Sequence, residues 1–168
     1  DCFGSVLGVH HMLRAWGIET AMSIASMVPG GYAQMPDFAL IHERPDPAFQ
    51  PDLVVYVDCA TQERGIEGWV PPAPVINIDH HVSNTLYGEL NWIDPQAAST
   101  TEMLFHLAEI AGATITPAMA EALLIGLTTD TGSFRFQNAG AAQYRVAAEL
   151  IERGASGDRV ALIAFGFQ

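Results

Sequence analysis

Pro74-Val75-Ile76-Asn77-Ile78-Asp79-His80-His81 is the stretch on which the reading of this chain turns. Its first five residues are mostly apolar and include β-branched side chains, as expected of a strand buried on both faces. The run then stops at three titratable groups in succession. A carboxylate and two imidazoles at the end of a buried strand are costly unless they are paired or bound to a cation. Neutral imidazole and carboxylate are suitable donors for Mn, Fe or Zn. One reading is therefore a metal site, and the other is a set of hydrogen-bonded structural residues. A second strand of the same kind, Leu53-Val54-Val55-Tyr56-Val57, ends at Asp58. Ligands of parallel sheets bind beyond the carboxyl ends of the strands, where Asp58 and Asp79 both fall.

Around these strands the pattern alternates between helix and strand. Residues 6–16 have apolar positions at helical spacing and are followed by Gly17, a suitable helix stop. Residues 18–28 read as a short apolar strand with its flanks, and 29–51, rich in Pro and Gly, as loop with one short helix. Helices are predicted over 100–111, stopped by Gly112, and from Thr116-Pro117 towards Leu127, with Thr as cap and Pro in the first turn. A further helix over 141–153 is closed by Gly154. The expected class is α/β, with a mainly parallel sheet flanked by helices.

Composition narrows the function. At 168 residues the chain can bury a real core as one domain. Nineteen acidic residues against seven basic ones, all Arg, leave a formal charge of −12. That balance argues against a broad basic surface for duplex DNA, but it suits divalent cations that in turn recruit phosphate. No apolar run approaches the roughly 20 residues of a membrane span, so a soluble, cytoplasmic protein is expected. Cys2 and Cys59 do not form a disulfide framework and lack zinc-finger spacing.

Three further segments carry candidate chemistry. In Asp1-Cys2-Phe3-Gly4-Ser5, Gly4 allows close backbone approach, and Ser5 either holds a phosphate or caps the helix. Gly126-Leu-Thr-Thr-Asp130-Thr-Gly-Ser-Phe-Arg135-Phe136 surrounds an Asp with small and hydroxyl residues, and the Arg135 guanidinium suits phosphate. The alternative is a tight turn with Arg135 in a surface ion pair. Ser83 and Asn84 are placed either to contact phosphate or to shape a turn. His10 and His11 are adjacent on a predicted helix and should diverge; His42 and His106 are expected to be surface or packing positions, and Trp16, Trp69 and Trp92 to fill core or loop-packing positions.

In order and spacing, Asp1-Cys-Phe-Gly-Ser, Val57-Asp58, Asp79-His80-His81 and Thr129-Asp130-Thr-Gly resemble the four motifs of the DHH phosphoesterases. The string around Asp130 is most similar to the branch of nanoRNases and 3′-phosphoadenosine 5′-phosphate phosphatases. The resemblance implies a five-stranded, mainly parallel sheet carrying two metal ions, usually Mn²⁺, with Mg²⁺ as an alternative. It implies Asp1, Asp58, His80 and Asp130 as metal ligands, with Asp79 orienting a histidine. His81 and Arg135 would act on the phosphate, with Gly4, Ser5, Ser83 and Asn84 around the substrate. The implied activity is hydrolysis of short RNA, and of nucleoside 3′,5′-bisphosphate, by two-metal activation of water. A cyclic-dinucleotide phosphodiesterase and a non-catalytic metal- or nucleotide-binding fragment are the alternatives. The family's first motif begins with a His and an Asp upstream of the position of Asp1, and a second, substrate-binding domain follows a linker. Residues 1–157 are accordingly expected to form the catalytic domain and 158–168 the start of the linker helix. A homodimer is compatible with this resemblance, as is the absence of any membrane association.

Overall fold

The computed structural model describes residues 1–25 and 30–166. Among the described residues five strands, all paired in parallel, fall into two sheets. β1 (Met22–Ser23) pairs with β2 (Ile41–His42). β3 (Val54–Val57), β4 (Val75–Asp79) and β5 (Leu90–Ile93) form a second sheet in that order. The predicted strands at 53–57 and 74–78 are present within a residue at each end, with Asp79 inside β4 rather than after it. β2 and β5 escape a sequence reading: β2 has two residues, and Leu90-Asn91-Trp92-Ile93 is a partly exposed run without a clear alternation. Of the predicted strand at 18–28, only Met22–Ser23 forms a ladder, and positions 26–28 lie outside the described residues.

Val57 faces Ile78 in register, and the Asp58 N–H continues the ladder by donating to the Ile78 carbonyl at 3.0 Å. The ends of β3 and β4 are thereby level, and Asp58 and Asp79-His80-His81 emerge on one edge.

The described residues form five α-helices: α1 (Cys2–Ala15), α2 (Thr100–Ile110), α3 (Pro117–Asp130), α4 (Ala141–Glu152) and α5 (Gly157–Phe165). Side-chain caps define the starts of α2, α3 and α5, the last through Ser156 Oγ accepting from Arg159 N. Ser99 Oγ accepts from Glu102 N at 3.0 Å, and Thr116 Oγ1 accepts from Met119 N at 3.2 Å with Pro117 opening α3. α3 is buried continuously from Met119 to Thr128 and packs against all four other helices, which is why its sequence is apolar on every side. The core is built on it: Leu7, Leu104, Met119, Leu123, Leu127 and Leu150 are fully buried.

Two boundaries differ from expectation in ways that matter. α1 begins at Cys2, so Gly4 and Ser5 lie in its first turn and not in a loop before it. α3 continues to Asp130, so that carboxylate sits on the last turn of a helix. Segment 30–51 holds two short 3₁₀ helices, Gly30–Gln34 and Phe38–Leu40, followed by β2. α5 is docked rather than free: Val160 and Ile163 are buried, and Arg159 Nε lies 2.8 Å from Glu121 Oε1 on α3. Trp16 is an exposed side chain, not a packing one. Both cysteines are unbridged, and no described helix is long and apolar enough to cross a membrane.

Because Leu123 is fully buried in the central helix, Leu123→Ala should lower unfolding free energy by about 2–5 kcal/mol. Urea denaturation should show a lower midpoint at unchanged slope.

Candidate metal centre

The site forms where the ends of β3 and β4 meet α1, α2 and α3. Asp1, at the cap position of α1, buries its carboxylate almost completely, with the side chain 1% exposed. That burial is compensated by the start of α2: Thr100 N donates to Asp1 Oδ2 at 2.7 Å and Thr101 N to Oδ1 at 3.3 Å, while Ser5 Oγ donates to Oδ1 at 3.2 Å. The first amides of a helix have no internal partners and carry the positive end of its dipole, so this is a favourable place for a carboxylate.

The approach is close because two glycines face each other. A Cβ on Gly4 would strike the Ala122 carbonyl and lie 3.0 Å from Gly126 N; one on Gly126 would lie 2.6 Å from Asp1 Oδ1. Gly4 is thus a helix-crossing residue and Ser5 a buried support of Asp1, and neither is placed to touch a substrate as expected from sequence.

His80 is the hub. Its Nδ1 lies 3.3 Å from the Ala97 carbonyl, so the proton belongs on Nδ1 and Nε2 keeps its lone pair. Nε2 is buried without a well-aligned hydrogen-bond partner, yet three carboxylates surround it. Asp130 Oδ2 lies at 3.0 Å, Asp58 Oδ1 at 3.7 Å and Asp1 Oδ2 at 3.8 Å. Three converging carboxylates around an orphaned imidazole nitrogen fit a divalent cation, which would satisfy all of them together. The negative end of α3, where Asp130 sits, favours a cation as well. Asp58 reaches the cluster from a left-handed backbone, φ 54°, a strained conformation for a non-glycine residue. Burial, reinforced by the Asp130 charge, pushes the Asp58 carboxyl up. For His80, burial disfavours the charged ring, but the Asp130 carboxylate 3.0 Å from Nε2 and the Asp58 charge outweigh it and raise its pKa in the metal-free chain.

His81 stands beside this cluster and is more open, 34% exposed. Its Nδ1 is 2.7 Å from Asp79 Oδ1, so Asp79 orients His81 and leaves Nε2 as the free nitrogen. Asp79 is fully buried and satisfied at every side: it also accepts from His80 N at 2.9 Å and from Asn84 Nδ2 at 2.7 Å. Asn84 is therefore turned inward, with its Oδ1 accepting Leu86 N at 2.8 Å, and does not offer its amide to phosphate as its position in the sequence suggested. Ser83 is exposed in the adjoining turn.

The Asp130 segment also differs from a ring of outward donors. Thr129 and Thr131 return their hydroxyls to α3 carbonyls, at 3.0 Å to Gly126 O and 2.7 Å to Leu127 O. Gly132, Ser133 and Phe134 are then all left-handed, with φ of 57°, 58° and 60°. This strained turn ends at Arg135, whose Nε donates to Gly132 O at 2.7 Å while the side chain remains exposed. Arg135 makes no ion pair among the described residues. Residues overlooked by motif reading are Ala97, Thr100 and Thr101, which act through backbone groups; 100–101 was legible only as the start of a helix.

The family model for the DHH family, N-terminal domain, matches residues 1–127. A bifunctional oligoribonuclease and PAP phosphatase NrnA of Thermus thermophilus is 36% identical over 155 residues, spanning 92% of this chain and 47% of that protein. The protein of the same description from Bacillus subtilis is 29% identical over 157 residues, 90% of this chain and 49% of its own length. The chain thus spans about half the length of these curated relatives. An exopolyphosphatase-related protein of Bacteroides fragilis superposes with a TM-score of 0.89 at 23% identity, over 100% of this chain and 53% of that one, a likeness of fold.

Two outcomes test this geometry. Gly126→Ala should drive a methyl group into Asp1 and Thr101, costing about 1–3 kcal/mol of stability and weakening divalent-ion binding in a calorimetric titration. In chelator, the raised pKa of His80 means its stabilising contribution is complete below its unfolded value near 6.5 and is lost as pH rises through the folded value. The stability difference between the wild type and His80→Ala should therefore shrink with rising pH in urea melts.

Proposed function

The chain belongs to the DHH family, and we propose that it is the catalytic unit of a metal-dependent phosphoesterase acting on short oligoribonucleotides and nucleoside 3′,5′-bisphosphates. The observation that carries this reading is the convergence of Asp1, Asp58 and Asp130 on the free Nε2 of His80. The substrate class follows the likeness to the oligoribonuclease and PAP phosphatases. In this reading residues 1–157 are the catalytic domain and α5 begins the connection to a second, substrate-binding domain.

We assign Asp1, Asp58, His80 and Asp130 as the metal ligands, with Mn²⁺ the expected ion and Mg²⁺ the alternative. A pair of divalent ions supplies a water of lowered pKa and a clamp on the oxygens of an in-line displacement at phosphorus. The chain's own part is to hold each donor ready. The Ala97 carbonyl keeps the His80 proton on Nδ1. The Thr100 and Thr101 amides hold the Asp1 carboxylate in place inside the fold. Asp79, itself fixed by Asn84, holds the Nδ1 proton of His81, so that His81 Nε2 can give or take a proton at a phosphate or leaving oxygen. The Arg135 guanidinium, bonded among the described residues only through Nε, retains its terminal N–H groups for phosphoryl oxygens. Ser83, exposed beside His81, completes the substrate side.

Turnover of pApA, 3′-phosphoadenosine 5′-phosphate, cyclic di-AMP and pyrophosphate should be compared with Mn²⁺ present. Hydrolysis of the first two is expected, lost with EDTA or Asp130→Asn. His81→Ala should keep Mn²⁺ binding while slowing turnover about 10²–10⁴-fold. Preference for cyclic di-AMP or pyrophosphate would overturn the substrate assignment, and failure to bind Mn²⁺ would overturn the site.

A further inference from the structure

A second group of donors lies on α1, nine residues from Asp1 and so about 13 Å along the helix axis. His10 and His11 leave the helix about 100° apart, and sequence spacing predicts that they diverge. They converge because they present different nitrogens. His10 reaches out with Nε2, which lies 4.0 Å from Asp37 Oδ2, whereas His11 offers the nearer Nδ1, 3.7 Å from the same oxygen. The rings stand edge to face, with centroids 5.4 Å apart, and the three donor atoms all lie within 4.8 Å of one another.

Several features suit an ion. The histidine side chains are 8% and 10% exposed and that of Asp37 is 49% exposed, so the group is enclosed by protein on the imidazole side and open at the carboxylate. His10 Nδ1 is 2.7 Å from Thr20 Oγ1. A proton donated there leaves the Nε2 lone pair towards Asp37, the kind of support that metal-bound imidazoles commonly receive. The His11 ring makes no hydrogen bond to any described residue, and its Nε2 is buried, an expensive state for an imidazole without another partner. Ligation at Nδ1 gives that ring a partner and leaves its proton on Nε2. Burial lowers both histidine pKa values; His11 and Arg14 add to this at His10, and Asp37 opposes it at both. The rings are therefore neutral near neutral pH, with lone pairs available and no ion pair to displace. Asp37 itself is held in a left-handed conformation, φ 60°, at the start of Phe38–Leu40.

From this geometry we infer that His10, His11 and Asp37 form a second divalent-metal site of zinc type, distinct from the His80 centre. Donors around tetrahedral zinc lie about 3.3 Å apart, so the observed separations close by small side-chain movements. Two imidazoles and one carboxylate leave a fourth position for water. The ion clips the Phe38–Leu40 segment onto α1, beside the packing of Phe3 on Tyr32 and Phe38 at 5.2 and 5.8 Å.

Cobalt(II), whose visible spectrum reports tetrahedral coordination, is the probe. In His80→Ala protein, where the other centre is disabled, a single equivalent should bind with a tetrahedral spectrum. Adding Asp37→Asn, which suits the positive φ, should weaken this binding about tenfold or more, and adding His11→Ala should remove it. Far-UV spectra without metal should match throughout. His80→Ala protein that binds no cobalt(II), or whose affinity is unchanged by either second substitution, overturns the inference.

Discussion

The contact of Gly4 on Gly126 sets the arrangement of the centre. With no side chain at either position, α1 lies against α3 closely enough for the carboxylate at its head to reach the first amides of α2. A methyl group on Gly126 would occupy the space of Asp1 Oδ1. Three helices are thereby gathered at one point: the head of α1, the head of α2 and the tail of α3. Their termini contribute opposite electrostatic roles, since the α2 amides stabilise the buried anion and the α3 carboxyl end favours the cation that anions attract. The sheet adds Asp58 and the two histidines from strand ends kept level by the β3–β4 register.

A centre built this way is electrostatically unbalanced by itself. Asp1, Asp58 and Asp130 approach one imidazole nitrogen that has no well-aligned hydrogen bond, and the His80 pKa is raised because the only nearby relief is its own protonation. A divalent ion provides the same relief with more charge. The strain at Asp58 and over Gly132–Phe134 belongs to the same account: left-handed residues flank the cluster where donors must be aimed, and the surrounding hydrogen bonds hold them there.

The two adjacent histidine pairs illustrate different physics. At 80–81 the chain leaves a strand, and each ring is fixed through Nδ1, one to the Ala97 carbonyl and one to Asp79. At 10–11 the chain is helical, and convergence arises from the use of different nitrogens. Spacing alone anticipates the first, because a strand end is an exposed edge where donors gather. It fails for the second, because it counts Cβ directions and not rotamers.

Much of this protein was legible in its sequence. Apolar β-branched runs ending at Asp58 and Asp79 specify parallel strands and their shared edge, because burial on both faces demands such runs. The cap Thr116 with Pro117 and the mostly apolar run over 119–127 specify the central helix. The motif resemblance implies Asp1, Asp58, His80 and Asp130 as a group, and the fold brings these four side chains together. Tertiary structure alone decided what the small and polar residues around them do. Gly4 and Ser5 became packing and support once α1 began at Cys2. Asn84 turned inward to Asp79, and backbone groups of Ala97, Thr100 and Thr101 became part of the site. Such roles depend on which atoms meet across long sequence separations, as Thr100 meets Asp1, and backbone donors have no residue signature to read.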